Sequence, residues 1–192
     1  NRPQFSVVGE DWLSGTAEPD RISYFVVPNY PRNTLTASRI TDLRYVRLTN
    51  EGPRPLMVDF LAVEISKDGK NWNPTTLIDI SNGQLFFPNV KEGLKKCLRV
   101  KLDKPELKTM TFDKNIGSGE TVKGWLCIAR PTGSGFDMTK WRIRIRDNKG
   151  EQGISEVTGV GKRSDNETFS GTGLTFNEND DLTGIQFTFY NQ

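Results

Sequence analysis

Arg142, Arg144 and Arg146 recur at every second residue of the segment Lys140–Arg146, K-W-R-I-R-I-R. Guanidinium forks hold carboxylate, sulfate and phosphate oxygens by paired hydrogen bonds. On a β-strand, residues two apart share a face and stand about 7 Å from each other. The three arginines therefore form a ladder and a candidate anion-binding surface. Trp141, Ile143 and Ile145 must then face the core. The plain alternative is a solvated strand face, cross-paired with acidic neighbours. Arg44, Arg47, Arg99 and Lys101 hold similar positions in other segments. They would widen the ladder into a basic patch if their strands were its neighbours.

Aromatic residues offer a second contact chemistry. Trp12, Tyr24 and Tyr30 lie in or beside a Pro-rich stretch with Pro19, Pro28 and Pro31. Loop aromatics commonly touch sugars and proteins, so Tyr24 and Tyr30 join the arginines as candidate ligand contacts. Trp72, Trp125 and Trp141 sit within strand-like segments and are expected in the core. The run Asn177-Glu178-Asn179-Asp180-Asp181 gathers oxygen ligands. Asn177, Asn179, Asp180 and Asp181 are candidate calcium ligands, with a polar hairpin tip as the plainer reading.

Catalytic options are narrow. The chain has no histidine. That removes the commonest general base, the Ser-His-Asp and Cys-His arrangements, and every His-containing metal site. Cys97 and Cys127 alone cannot make a Cys-rich zinc site. Carboxylate pairs remain, with Asp59, Glu64, Asp79 and Glu120 among 24 acidic residues. Nothing in the sequence sets two of them face to face, as glycoside hydrolysis requires. Gly159-Val160-Gly161-Lys162-Arg163 is no phosphate loop. Glu156 stands where its first Gly belongs, and Arg163 where Ser or Thr belongs. No cofactor is expected.

The 192 residues suit one domain able to bury a core. A net charge of +2 does not suggest a nucleic-acid partner. No apolar run approaches the length of a membrane span. The chain begins at Asn1, not Met, which fits a trimmed N-terminus and a removed secretion signal. Cys97 and Cys127 read either as a disulfide of an oxidising compartment or as two buried thiols.

The elements that must position these residues are mostly strands. Ile22–Val27, Leu43–Thr49, Leu56–Ser66, Trp72–Ile80, Leu98–Leu102, Leu107–Phe112, Glu120–Arg130, Lys140–Arg146 and Ile185–Tyr190 all read as strands. Leu56–Ser66 is long and apolar on both faces, the pattern of a central strand with a bulge. Lys67-Asp68-Gly69-Lys70 supplies a turn with positive φ at Gly. Asn89–Lys96 could hold a turn or two of helix. After about residue 148 the chain becomes rich in Gly and polar residues, which predicts looser packing.

Two blocks resemble immunoglobulin-like extracytoplasmic sandwiches. V-R-L-T-N-E-G-P-R-P-L-M-V-D-F-L-A-V-E-I-S-K-D-G spans Val46–Gly69. G-S-G-E-T-V-K-G-W-L-C-I-A-R-P, followed by K-W-R-I-R-I-R-D-N-K-G, spans Gly117–Gly150. The S-K-D-G-K-N-W segment is also similar to a hairpin of discoidin-type sandwiches. The resemblance implies a fold, not a function. The expectation is an all-β chain: a single antiparallel β-sandwich over residues 1–192, immunoglobulin-like or jelly-roll, with a Gly-rich C-terminal extension. The expected role is a non-enzymatic binding module for a glycan or protein surface, extracellular, on the cell surface or periplasmic. The alternative is a structural subunit of a capsid, fibre or appendage that self-associates through strand edges, which would place it in a virion. A carboxylate-based glycoside hydrolase is the third reading.

Overall fold

A computed structural model of the chain describes residues 2–14, 24–27, 34–37, 41–77, 84–88, 97–102, 104–129, 140–159, 162–163, 174–175 and 186–189. The strands are β1 Phe5–Ser14, β2 Tyr24–Val27, β3 Thr34–Ala37, β4 Thr41–Asn50, β5 Val58–Ser66, β6 Asn73–Pro74, β7 Thr76–Leu77, β8 Gln84–Pro88, β9 Cys97–Leu102, β10 Thr121–Ala129, β11 Lys140–Asp147, β12 Gln152–Thr158, β13 Lys162–Arg163, β14 Leu174–Thr175 and β15 Gln186–Phe189. One helix, α1 Leu107–Phe112, lies among the described residues. None of them forms a helix long and apolar enough to cross a membrane.

The larger sheet runs β6-β5-β11-β12-β1-β4-β10-β7, with β13 also pairing with β1. Its two end strands are halves of one extended segment. Asn73 and Pro74 pair with Ile65 and Glu64 of β5. Thr76 and Leu77 pair with Ala129 and Ile128 of β10. Between them Thr75 donates both its N–H and its hydroxyl to the Val63 carbonyl, at 3.1 and 2.8 Å. The sheet is thereby nearly closed into a barrel. The all-β class holds. A sandwich of two facing sheets is a finer statement than these pairings make. The sheet is also mixed and not purely antiparallel: β1 runs parallel to β12 and β13.

Alternation explains why the core sits inside the nearly closed sheet. Phe5 and Val7, Val46 and Leu48, Leu61, Val63 and Ile65, Val122, Leu126 and Ile128, and Trp141, Ile143 and Ile145 are all buried in one cluster. Each set follows a period of two along its strand. At one end of β4 and β10 the opposite face is buried as well. Leu43 lies opposite Cys127 and Tyr45 opposite Trp125, with the two rings 4.9 Å apart. Burial on both faces accounts for the unbroken apolar run Trp125–Ile128.

The segment Leu107–Phe112 is helical, contrary to the strand expectation. A strand would turn Leu107, Thr109 and Thr111 to one side. Instead Leu107 and Thr111 are fully buried while Thr109 is exposed. Six residues carry too little periodicity to separate the two patterns, and the surroundings decide. Pro105 accepts the Trp125 N–H at 3.1 Å, and Leu107 then packs on the β10 backbone at Gly124. Leu56 and Ile116 exchange two backbone hydrogen bonds at 2.8 Å, tying the stretch after α1 to the entry of β5.

The predicted bulge is present in β5. Arg146 faces Phe60 and Asp147 faces Val58, leaving Asp59 as the extra residue. Gly69 has φ of 74°, as the Asp-Gly turn requires. The chain beyond 148 begins inside the sheet, because β12 lies between β11 and β1. The second sheet runs β14-β9-β8-β2-β3-β15. It holds Cys97 on β9, whereas the buried Cys127 lies on β10. Residues 89–96 lie outside the described residues.

Candidate functional site

Strand register builds one continuous outward face from β5, β11 and β12. Residues directly opposite one another point the same way. Glu64, Arg142 and Glu156 form one row; Ala62, Arg144 and Ile154 the next; Phe60, Arg146 and Gln152 the third. The arginine ladder thus runs down the centre of a three-stranded surface, as the alternation predicts. Trp141, Ile143 and Ile145 are buried behind it.

The ladder is held by acids on the neighbouring strand. Arg142 Nε donates to Glu64 Oε1 at 2.8 Å, and Arg144 reaches both Glu64 oxygens at 3.1 and 3.2 Å. Arg144 also donates to Gln152 Oε1 at 3.3 Å. Arg146 donates to Asp59, the bulge residue, at 3.2 Å. Aromatic rings complete the arrangement. The Arg142 guanidinium lies 4.2 Å from the centre of the Trp72 ring, and that of Arg146 lies 5.3 Å from Phe60. Both separations suit cation–π attraction.

Burial of Glu64 favours its neutral form. The hydrogen bonds and positive charges of Arg142 and Arg144 outweigh that effect and hold the carboxyl below its ordinary range. Glu64 is therefore an ionised structural partner, the opposite of a general acid with a raised pKa. At the adjoining turn the N–H groups of Asn71 and Lys70, with the Asn71 amide and the Ser66 hydroxyl, hold the Asp68 carboxyl far below its ordinary range. At Glu120 the Gly117 N–H and Lys114 act the same way.

With Lys140 next along the same side of β11, four cations stand among three acids, Glu64, Asp59 and Glu156, and the net charge of the face is small. Apolar surface lies between the charges. Phe60 is 42% exposed and Ile154 48%. Sequence reasoning named the arginines but missed Trp72, Phe60 and Ile154 as members of the same face. Their only signal is strand adjacency, which a single strand's pattern does not carry.

The wider basic patch does not form. β4 is separated from β11 by β12 and β1. Arg44 is buried, with its guanidinium 5.8 Å from the Trp141 ring on the core side. Arg47 and Lys123 instead share Glu10, at 3.8 and 3.3 Å. Arg99 and Lys101 belong to β9 of the other sheet. Trp12 and Tyr24 lie within strands β1 and β2 and not in loops. Tyr30 and the acidic run with Asn177, Asn179, Asp180 and Asp181 fall outside the described residues. Among the described residues no three Cys, Asp or Glu side chains are placed to hold a metal ion.

Comparison of the chain with protein-family models, with curated proteins and with solved structures gives no match.

Proposed function

We propose that the chain is a non-enzymatic binding module that recognises a protein or glycan surface through the outer face of β5, β11 and β12. One observation carries this reading: exposed Phe60 and Ile154 stand among arginines already fixed by acids and rings. Contact surfaces are enriched in aromatic residues, Met and Arg. Binding through side chains that are already ordered loses less conformational entropy. Near-neutral charge favours apolar contact over long-range steering, so a protein surface is preferred to a highly charged polymer. We place the module outside the cytoplasm and attach to it the immunoglobulin-like or jelly-roll sandwich as the finer architectural reading.

The structural-subunit alternative draws on the smaller sheet. β14 and β15 end it among the described residues, and such edges can pair with a second copy. The larger sheet offers less, because β6 and β7 close its ends. For the hydrolase reading, Glu64 is unsuited to the general-acid role, because its carboxyl is held ionised.

The test compares the chain with Phe60→Ser and Ile154→Ser on a glycan array and on extracellular protein panels. Specific binding that falls at least about tenfold in the double variant supports the proposal. Equal binding by both proteins sinks it. Sedimentation at rising concentration addresses the alternative, since an assembly subunit polymerises.

A further inference from the structure

A cleft of about 450 Å³ opens at one end of the nearly closed sheet. It lies between the start of β1, the loop from β4 to β5, and the turn from β11 to β12. Small-ligand sites commonly span roughly 300–1,000 Å³. We propose that this cleft binds a small ligand carrying carboxylate or phosphate groups, independently of the β5–β11–β12 face.

The walls are held in place. Glu51 and Gly52 donate their N–H groups to the Gln4 carbonyl at 2.8 and 3.1 Å. The Asn50 side chain, 2% exposed, donates to the carbonyls of Arg54 and Ile116 and accepts the Gly52 N–H. On the opposite wall the Asp147 carboxylate accepts the N–H groups of Lys149 and Glu151, both at 2.9 Å. Asn148 donates its N–H to the Met57 carbonyl at 3.1 Å. A ligand would meet a formed site, and little ordering entropy opposes it.

Three cations, Arg2, Arg54 and Lys149, line this cleft. None has an ion-pair partner among the described residues, a state shared with the exposed Lys70, Lys104 and Lys140, but Arg2, Arg54 and Lys149 converge on one cleft. Two carboxylates share the lining, Asp147 and Glu151. Asp147 is already engaged by its own turn, so the cations outnumber the acids available to answer them. Forked hydrogen bonds from Arg54 and Arg2, with the point charge of Lys149, suit an oxyanion. Among the described residues no aromatic side chain lines the cleft, which argues against a stacked ring as the main contact.

The experiment titrates citrate and, separately, inorganic phosphate into the full chain at low salt, read by amide chemical shifts and calorimetry. Citrate stands for the polycarboxylate source and phosphate for the phosphorylated one. Saturable shifts confined to residues 2–4, 50–56 and 147–151 are expected with at least one probe. The double variant Arg54→Gln, Lys149→Gln should weaken that probe about tenfold or more, with an unchanged unfolding midpoint. Lys104→Gln, an exposed cation elsewhere, should leave it unchanged, and so should Phe60→Ser. If the double variant fails to fold, the single Lys149→Gln carries the comparison. No binding of either probe, shifts spread over all Lys and Arg residues, or an affinity indifferent to these substitutions overturns the proposal.

Discussion

Arg142 Nε and Glu64 Oε1 meet at 2.8 Å across β11 and β5, with side-chain exposures of only 19% and 15%. The pair is mostly withdrawn from water, and Glu64 serves Arg144 as well. Its loss leaves two guanidinium groups without their anion. Glu64→Gln should therefore lower stability by about 1–3 kcal/mol, the range for hydrogen bonds to charged groups. Urea denaturation measures this. A change below about 0.5 kcal/mol would mean that solvent screens the pair as it does an exposed one.

Acid should weaken the fold through the same residue. The Glu64 pKa is lowered in the folded state, so the unfolded chain binds its proton more readily. Its contribution is fully present above the ordinary carboxylate range and is lost as pH falls below about 4.5. Asp68 and Glu120 are shifted in the same direction and add to the loss. Stability measured from pH 6 down to pH 2 should fall, and less steeply in Glu64→Gln. Identical slopes in both proteins would remove Glu64 from the account.

Thr75 closes the larger sheet through two hydrogen bonds to one carbonyl. Thr75→Val keeps the shape and removes the hydroxyl, at a cost of about 0.5–1.5 kcal/mol. Thr75→Pro removes the N–H instead and should open the seam. Hydrogen exchange would then quicken in β5 and in the facing part of β10, with β1 and β12 little changed. Uniform quickening throughout the sheet would show that the segment is no separate seam.

Gly124 allows the Leu107 backbone to cross β10. A Cβ at this position would overlap Leu107 N and Cα, which are backbone atoms and cannot swing aside. Gly124→Ala should therefore cost about 2 kcal/mol or more, in the range of overpacked interiors. The neighbouring Lys123→Ala, on the exposed side, provides the control. Equal unfolding midpoints for the two variants would contradict the close approach.

The residue order by itself determined which face of β11 is buried. K-W-R-I-R-I-R places Trp141, Ile143 and Ile145 inward because alternation is local and needs no knowledge of neighbours. The Asp-Gly turn at Gly69 was legible for the same reason: its positive φ is a property of one residue. The absence of histidine bounded the chemistry with no coordinates at all. Tertiary structure alone decided what surrounds the ladder. Glu64 and Asp59 lie about eighty residues from their arginines, at separations of 78 to 87 positions. No pattern within β11 says that β5 is its neighbour. The helix at Leu107–Phe112 and the closure at Thr75 share this origin. Each is a short segment with weak local preference, and its conformation follows from the carbonyls and apolar surface that non-local strand pairing brings to it.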